Sequence, residues 1–115
     1  MNTRKKGKIG EEIAVKYLLS KNYTILHRNF SVQTGEIDIV AEENKAIVFV
    51  EVKYRKNTLY GYPAEAVNFK KQSRILETAE YYIMYTGLEE RDIRFDVIEI
   101  LGRRINHIEN AFCST

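Results

Sequence analysis

The stretch Gly35–Arg55 reads GEIDIVAEENKAIVFVEVKYR, and it decides the fold. Residues 36–41 and 46–53 both have the composition of β-strands, and the polar segment between them predicts an antiparallel hairpin. Charged residues interrupt these apolar runs at alternating positions. Because a strand places alternate side chains on one face of its sheet, the charges are predicted to share a face. The interrupting residues are Glu36, Asp38, Glu51 and Lys53.

The loop of this hairpin sets its register. A two-residue turn at Asn44-Lys45 suits the type I′ geometry, in which asparagine is a common first residue. Such a turn places Asp38 opposite Glu51. The other pairs predicted on that face are Val40 with Phe49 and Glu36 with Lys53. The opposite face is predicted to be entirely apolar core, formed by Ile37, Ile39, Ala41, Val48, Val50 and Val52.

The remaining elements complete a single α/β domain over residues 1–115. Apolar periodicity predicts the order α-β-β-β-α-β-β, and hence a central mixed β-sheet flanked by helices. The elements outside the hairpin are a helix at 8–21, a strand at 23–30, a helix at about 64–85, and strands at 94–100 and 105–112.

The predicted boundaries of the second helix come from start and stop signals in the sequence. The segment Tyr60-Gly61-Tyr62-Pro63 predicts a turn, and proline suits the first helical position that follows it. Glu65 suits the positive N-terminal end of a helix, and Gly87 predicts its C-terminal stop. The predicted buried stripe consists of Val67, Ile75, Ala79 and Ile83.

Basic residues are clustered, although the charges nearly balance. The chain has 18 Lys and Arg against 16 Asp and Glu, a net charge of +2, which permits an anionic partner without demanding one. The clusters are compatible with a solvated surface and with a phosphate-binding surface. They are Arg4-Lys5-Lys6-Lys8, Lys53-Arg55-Lys56, Lys70-Lys71-Arg74 and Arg103-Arg104.

Several classes of protein are disfavoured by composition. Cys113 is the single cysteine, so a disulfide framework is excluded and a reducing compartment fits. His27 and His107 are far apart in sequence and give no zinc-ligand spacing. The basic N-terminus is not followed by the apolar segment of a signal peptide, and no apolar run reaches the length of a membrane span. We therefore expect a cytoplasmic protein that makes no use of a membrane.

Glu11 is unexpectedly placed on the first helix. It falls at helical spacing on the same stripe as Ala14, Val15 and Leu18, and that stripe should face the sheet. A buried glutamate without a partner is costly. Glu11 is therefore expected either to bond a basic neighbour or to take part in a metal site.

The opposition of Asp38 and Glu51 needs an explanation, since like charges facing each other across a ladder are destabilising. Lys53 could neutralise one of the two carboxylates, although it is also placed for an ordinary ion pair with Glu36. A divalent ion would neutralise both, because Mg²⁺ prefers oxygen ligands such as carboxylates. Asp38, Glu51 and the carbonyl of Val52 are the predicted ligands. Lys53 could then orient an attacking water or stabilise charge on a phosphate oxygen.

The joint pattern resembles a known signature. Asp38 followed by Glu51-Val52-Lys53 on a hairpin looks like the PD-(D/E)xK motif of restriction-endonuclease-like nucleases, and archaeal-type Holliday-junction resolvases are similar. Ile37 stands where the name of the motif has proline. Over nearly the whole chain, the sequence resembles the YraN-like family of small bacterial proteins. That likeness lies in Gly7-x-x-Gly10-Glu11, Arg28-Asn29-Phe30, Gly35-Glu36-Ile37-Asp38, Phe49 to Arg55, Lys71-Gln72 and Arg94-Phe95-Asp96-Val97.

The resemblance implies a restriction-endonuclease-like fold with its active site on the charged face of the hairpin. It implies Asp38 and Glu51 as ligands of Mg²⁺ or Mn²⁺ and Lys53 as the catalytic lysine. It further implies Glu11 as the helix carboxylate of the site and Gln72 as an accessory residue. Glu36 belongs to the family pattern without an assigned role.

The expected function is an endonuclease that hydrolyses phosphodiester bonds in DNA, including branched repair or recombination intermediates. Basic residues would hold phosphates with little reading of bases, and two active sites on a homodimer would allow both strands to be cut. The alternatives are a nucleic-acid-binding module without turnover and an interaction subunit whose acids form ion pairs. The expected DNA-binding residues are Arg4, Lys5, Lys6, Lys8, Arg55, Lys56 and Lys71, with Tyr54, Tyr60 and Tyr62 able to stack on unpaired bases.

Overall fold

The computed structural model describes residues 3–56 and 68–112, which form two helices and five strands. The predicted order α-β-β-β-α-β-β is confirmed. The elements are α1 (Thr3–Ser20), β1 (Thr24–Val32), β2 (Gly35–Glu43), β3 (Ala46–Arg55), α2 (Phe69–Thr86), β4 (Ile93–Leu101) and β5 (Arg104–Phe112).

The strands form one mixed sheet in the order β1-β2-β3-β4-β5. Neighbouring strands are antiparallel except β3 and β4, which are parallel. Parallel neighbours cannot be joined by a tight turn and need a crossover connection. Helix α2, which lies between β3 and β4 in the chain, belongs to that crossover. The protein is therefore an α/β domain with a mixed sheet, as predicted.

The predicted hairpin register is confirmed near the loop. Asn44 and Lys45 have φ angles of 50° and 71°, and a type I′ turn requires positive φ at both positions. Val40 pairs with Phe49 as expected. Short polar side chains tolerate this left-handed conformation, which explains the asparagine.

The register does not extend as far as predicted. Paired residues run from Glu43–Ala46 to Ile39–Val50. The expected ladder pairs of Asp38 with Glu51 and of Glu36 with Lys53 are therefore wrong. Beyond Ile39 the two strands are joined by a side chain instead, as the candidate site shows.

Both faces of the sheet are covered by apolar core, which corrects the expectation of one core face and one charged face. Helix α1 packs on the first face and α2 on the second. Ile37 was predicted to share a face with Ile39, but Ile39 packs in the α1 cluster and Ile37 in the α2 cluster. The α1 cluster contains Ala14, Leu18, Tyr23, Ile39, Ala41, Val48, Val50, Ile98 and Ile100. The α2 cluster contains Ile37, Val40, Ile47, Phe49, Ile75, Ala79, Tyr82, Ile83 and Phe95.

Helix α2 begins later than predicted. Asn68 is extended, with φ −84° and ψ 175°, and its side chain accepts a hydrogen bond from the Lys71 amide. Asparagine is among the strongest N-cap residues, so the predicted start near residue 64 is wrong. Tyr60, Tyr62, Pro63, Glu65 and Val67 lie outside the described residues. The predicted stop at Gly87 is confirmed, with φ 72° in the left-handed region.

The buried stripes of both helices match the predicted periodicity. Ala14 and Leu18 of α1 are fully buried, and Ile75, Ala79 and Ile83 of α2 are buried as well. Neither helix of the described ranges combines the length and the apolar character needed to cross a membrane.

Candidate active site

Asp38 lies where the paired part of the β2–β3 hairpin ends. Its Oδ2 accepts a hydrogen bond of 2.8 Å from the backbone amide of Val52. The carboxylate thus takes the position at which a strand carbonyl would otherwise accept. Asp38 lines an open cavity of about 500 Å³ on the α2 side and one of about 200 Å³ on the α1 side. It is therefore accessible from both faces of the sheet.

Helix α1 brings Glu11 to this position. Glu11, Glu36 and Asp38 each present one carboxylate oxygen, and the three oxygens lie within 4.8 Å of one another. Close approach of α1 depends on Gly10, since a Cβ there would lie 2.8 Å from the Cβ of Tyr54. The predicted position of Glu11 is confirmed, since it faces the sheet beside Asp38, while its role in the site stays a prediction.

Two residues of β1 contact Glu11. Arg28 Nη2 lies 3.9 Å from Glu11 Oε1 and donates a 2.7 Å hydrogen bond to Glu12. Asn29 adopts a left-handed φ of 55°, and its side chain is close enough to Glu11 to influence the pKa of that carboxyl. Burial and then the nearby Asp38 raise the pKa of Glu11, although Asn29 and Arg28 oppose the shift. This carboxyl therefore retains its proton more readily than an exposed one.

Glu51 is the most deeply buried acid of the site. Its side chain is 6% exposed, and its Oε1 lies 3.9 Å from Nζ of Lys71. Its Oε2 is buried and has no hydrogen-bond partner among the described residues. Burial, with Asp38 as the next cause, raises the pKa of Glu51 to about 9. A buried carboxylate oxygen without a partner is costly, which calls for a cation or a proton.

Lys53 follows Glu51 on the same strand and face. It is 9% exposed, and burial together with the neighbouring Lys71 lowers the pKa of its ammonium to about 8. A group whose pKa lies near neutrality can transfer a proton at physiological pH. Asp38, Glu51 and Lys53 therefore meet where the pairing of β2 with β3 ends, even though they are not ladder partners.

The structure gives the positions of two other predicted site residues, Val52 and Gln72, and leaves their roles untested. The amide of Val52 bonds Asp38, while its carbonyl as a metal ligand stays a prediction. Gln72 lies in the first turn of α2, where its backbone N–H donates to the backbone carbonyl of Asn68. Neither cavity of the site is lined by Gln72. Its accessory role therefore remains a prediction.

The structure places the expected DNA-binding residues on several elements. Arg55 lines the α1-side cavity, and Lys71 lines the α2-side cavity. Lys8 and Lys56 are exposed. Arg4, Lys5 and Lys6 belong to the first turns of α1, and their side chains lie outside the described part of the chain.

Sequence reasoning missed two contributions to the site. Arg28 and Asn29 were noted only as part of a family pattern, yet they contact Glu11. Lys70 and Arg74 were noted only as a basic cluster, yet they line the same cavity as Glu51. Helical spacing offered a signal for Arg74, since it precedes the buried Ile75 and follows Lys71 by three residues.

A separate polar network lies under α1. Asp96 is completely buried and accepts hydrogen bonds from Arg94, from His107 at 2.6 Å and from the Asn110 amide. A carboxylate only accepts, so Nε2 of His107 carries the proton, and Nδ1 lies 3.1 Å from the Tyr17 hydroxyl. These five residues connect α1, β4 and β5, and they contribute no group to the candidate site.

Comparisons with known proteins place the chain within one family. The profile described as "Uncharacterised protein family UPF0102" matches residues 10–100. A UPF0102 protein of Clostridioides difficile (strain 630) is 53% identical over 114 residues, covering 97% of this chain and 100% of the relative. A UPF0102 protein of Persephonella marina is 48% identical over 107 residues, covering 93% of this chain and 92% of the relative.

Proposed function

The chain belongs to the UPF0102 family, the YraN-like family that its sequence resembles, and we propose that it is a metal-dependent endonuclease. The proposed reaction is hydrolysis of phosphodiester bonds in DNA with Mg²⁺ or Mn²⁺. The mixed sheet with a helix on each face supports the further proposal of a restriction-endonuclease-like fold of the PD-(D/E)xK type. In that case, Asp38, Glu51 and Lys53 are the motif residues.

One observation carries the proposal, namely the partnerless oxygen of Glu51 beside Asp38. Oε2 of Glu51 is buried without a hydrogen bond among the described residues, and Asp38 is close enough to raise the pKa of Glu51. Glu11 and Glu36 bring further carboxylate oxygens near Asp38. A hard divalent cation is the ligand that such an all-oxygen donor set fits best.

Asp38 and Glu51 would hold the ion, and Glu11 and Glu36 are close enough to Asp38 to complete or orient its ligands. Such an ion supplies Lewis-acid stabilisation of charge on the phosphoryl oxygens. Lys53 would donate a hydrogen bond to a non-bridging oxygen of the scissile phosphate or orient the attacking water. Its lowered pKa permits it to accept and return a proton near neutrality.

The wider DNA-binding role rests on the distribution of basic residues. Arg55 and Lys71 line cavities on opposite sides of Asp38, so the backbone of a strand could be held on both sides of the reacting bond. The proposal includes branched or recombination intermediates as substrates and a homodimer as the form that cuts two strands.

A cleavage assay tests this function. Purified protein is incubated with labelled single-stranded, duplex, flapped and four-way-junction DNA in Mn²⁺, in Mg²⁺ and in EDTA. We expect cleavage that requires the metal and disappears in Asp38→Asn. The matched control is Asp92→Asn, since Asp92 is an exposed acid before β4, and it should cleave as the wild type does.

Measurements of DNA binding and divalent-ion binding on the same protein separate the alternatives. Salt-sensitive DNA binding that is unaffected by EDTA, without cleavage of any substrate, would indicate a binding module without turnover. An absence of both divalent-ion binding and DNA binding would indicate an interaction subunit. In that case the acids serve ion pairs such as that of Glu51 with Lys71.

A further inference from the structure

The first turns of α2 present three cations to the α2-side cavity. Lys70, Lys71 and Arg74 line this space of about 500 Å³, and the carboxylates of Glu36, Asp38 and Glu51 line it too. The cavity therefore has basic groups from α2 and acidic groups from the hairpin. Lys70 and Arg74 are exposed, whereas Lys71 is half-buried.

Ion pairs with the carboxylates of the cavity do not account for all three of these cations, which together form its basic wall. Among the described residues, only Lys71 of the three reaches an acid, at 3.9 Å from Glu51. Neither Lys70 nor Arg74 has an ion-pair partner in the described part of the chain. Their positive charges are thus available to a ligand that enters the cavity.

The position of this wall is fixed by packing. Gly35 lies against α2, where a Cβ would come within 3.6 Å of the Cβ of Arg74. The hydroxyls of Thr34 and Thr78 are 3.0 Å apart, and Thr78 also donates to the Arg74 carbonyl. The β1–β2 turn is therefore attached to α2 beside Arg74, which sets the width of the cavity next to Asp38.

The spacing of the free cations suits a chain of phosphates. Lys70 and Arg74 are four residues apart, so they lie one above the other on α2, about 6 Å along its axis. A single small anion would need only one of them. A ligand with repeated negative charges would contact both, while another of its phosphates reaches the carboxylates.

We propose that Lys70 and Arg74 form a phosphate subsite for the strand segment next to the reacting bond. This inference rests on the proposed nuclease function and specifies its substrate class. The ligand is an oligonucleotide strand that continues beyond the scissile phosphate, and a mononucleotide or a terminal phosphate alone would not fill the site. The strand passes Asp38, with Lys70 and Arg74 on one side and Arg55 on the other.

Binding of a short labelled single-stranded oligonucleotide tests the subsite without any need for cleavage. Affinity is measured over a range of salt concentrations, in EDTA and in Ca²⁺, for the wild type and for Lys70→Gln/Arg74→Gln. The control Lys16→Gln/Arg104→Gln also removes one exposed lysine and one exposed arginine. A charge-preserving variant, Lys70→Arg/Arg74→Lys, checks that charge is the property that matters.

We expect the plot of log affinity against log salt to become shallower by about 1.4 in the Gln variant, because each phosphate contact in a single strand contributes about 0.7. The control should change it by less than half as much, and the charge-preserving variant should retain most of the slope. An unlabelled mononucleotide should compete far more weakly than the unlabelled oligonucleotide.

Equal slopes in the Gln variant and the control would overturn the subsite, as would a wild type that binds no oligonucleotide. Equal competition by the mononucleotide would overturn the proposed substrate class. The nuclease proposal is judged separately, by cleavage and by metal binding. Oligonucleotide binding that depends on Lys70 and Arg74 in a protein without cleavage would keep the subsite and reject the nuclease.

Discussion

At the scale of single residues, Asp38 determines how the acids of the site coexist. It lies within 4.8 Å of oxygens of Glu11 and Glu36 and close to Glu51. Asp38→Asn removes one of these charges and retains an oxygen that can accept from the Val52 amide. We expect the metal-free variant to be more stable than the wild type by about 1–2 kcal/mol, since repulsion between the carboxylates is relieved.

The measurement is the free energy of unfolding in urea, in EDTA and then with Mg²⁺ or Mn²⁺. Added metal should stabilise the wild type by preferential binding to the folded state and should have little effect on Asp38→Asn. The control Asp92→Asn should leave both values unchanged within about 0.5 kcal/mol. A loss of stability in Asp38→Asn without metal would contradict the metal site and favour an ion-pair network.

Glu51 makes a prediction about pH. Its pKa is raised from 4.5 to about 9 in the folded protein, chiefly by burial and next by Asp38. Between these pH values the folded state binds more protons at this position than the unfolded state, so this group lowers stability as pH rises. Glu51→Gln lacks this pH-dependent loss. We therefore expect the unfolding free energy of the variant to rise relative to that of the wild type from about pH 5 to about pH 9.

Thermal unfolding at a series of pH values, in EDTA, measures the difference between Glu51→Gln and the wild type. The control is Glu90→Gln at an exposed position after α2, for which the difference should not depend on pH. If stability depended on pH in the same way for Glu51→Gln and the wild type, the pKa of the Glu51 carboxyl would be normal in the folded protein. That result would contradict a buried carboxylate oxygen that needs a cation or a proton.

At the scale of the elements, the packing of α1 on β3 depends on one glycine. A Cβ at Gly10 would lie 2.8 Å from the Cβ of Tyr54. Because the Cβ of Tyr54 is bonded directly to the strand backbone, rotation of the tyrosine side chain cannot relieve this clash. We expect Gly10→Ala to cost about 1–3 kcal/mol from overpacking, reduced by the better helix propensity of alanine. Because Glu11 follows Gly10, affinity for Mn²⁺ should fall as well.

Gly7→Ala is the matched control, since a Cβ there meets nothing within 4 Å. That substitution should raise stability by about 0.5–1 kcal/mol through helix propensity alone. Urea unfolding and Mn²⁺ titration of both variants provide the comparison. Equal changes in the two variants would show that α1 does not approach β3 as closely as the structure indicates.

The two hairpin strands and α2 show which elements local sequence determines. The loop at Asn44-Lys45 set the register because its backbone geometry is a local property of those two residues. The start of α2 was misplaced because Pro63 and Glu65 are generic start signals, whereas the cap at Asn68 is the one that the described chain uses. Asn68 offered this signal too, but local rules do not rank two competing start sites.

The candidate site was predictable in part for the same reason. Periodicity placed Glu11 on the stripe that faces the sheet, and alternation placed Asp38, Glu51 and Lys53 near one another. The end of the ladder at Ile39–Val50 was not predictable, since it depends on the Asp38 side chain replacing a backbone acceptor. Likewise, no local pattern shows that Lys70 and Arg74 share a cavity with Glu51, because this depends on how α2 crosses the sheet.

At the scale of the whole molecule, the Asp96 network connects elements that are distant in sequence. Asp96 on β4 accepts from Arg94 and His107, and Arg94 also donates to Tyr23 and to Glu43. These bonds reach from Tyr23, just before β1, to β5. Burial alone would raise the pKa of Asp96, but hydrogen bonds from His107, Arg94 and the Asn110 amide together lower it.

Asp96→Asn therefore tests what stabilises the fold apart from the site. The change removes the buried anion that Arg94 and His107 share and leaves Arg94 with its ion pair to Glu43 alone, and we expect a loss of about 3 kcal/mol of unfolding free energy at neutral pH. Because the folded pKa of Asp96 lies below its ordinary value of 3.8, its contribution is present above that pH and is lost as pH falls through the folded pKa. The variant should therefore lose less additional stability than the wild type on acidification below about pH 3.8.

Urea unfolding at neutral pH and acid titration monitored by circular dichroism provide the two readouts. The control Glu99→Gln is on the same strand and removes an acid with one exposed hydrogen bond from Asn106, so it should cost less than about 1 kcal/mol. Affinity for Mn²⁺ should be retained in folded Asp96→Asn, since Asp96 contributes no group to the site. A variant as stable as the wild type would show that this buried network does not hold the strands together. A folded variant without Mn²⁺ affinity would show that network and site are coupled through the sheet.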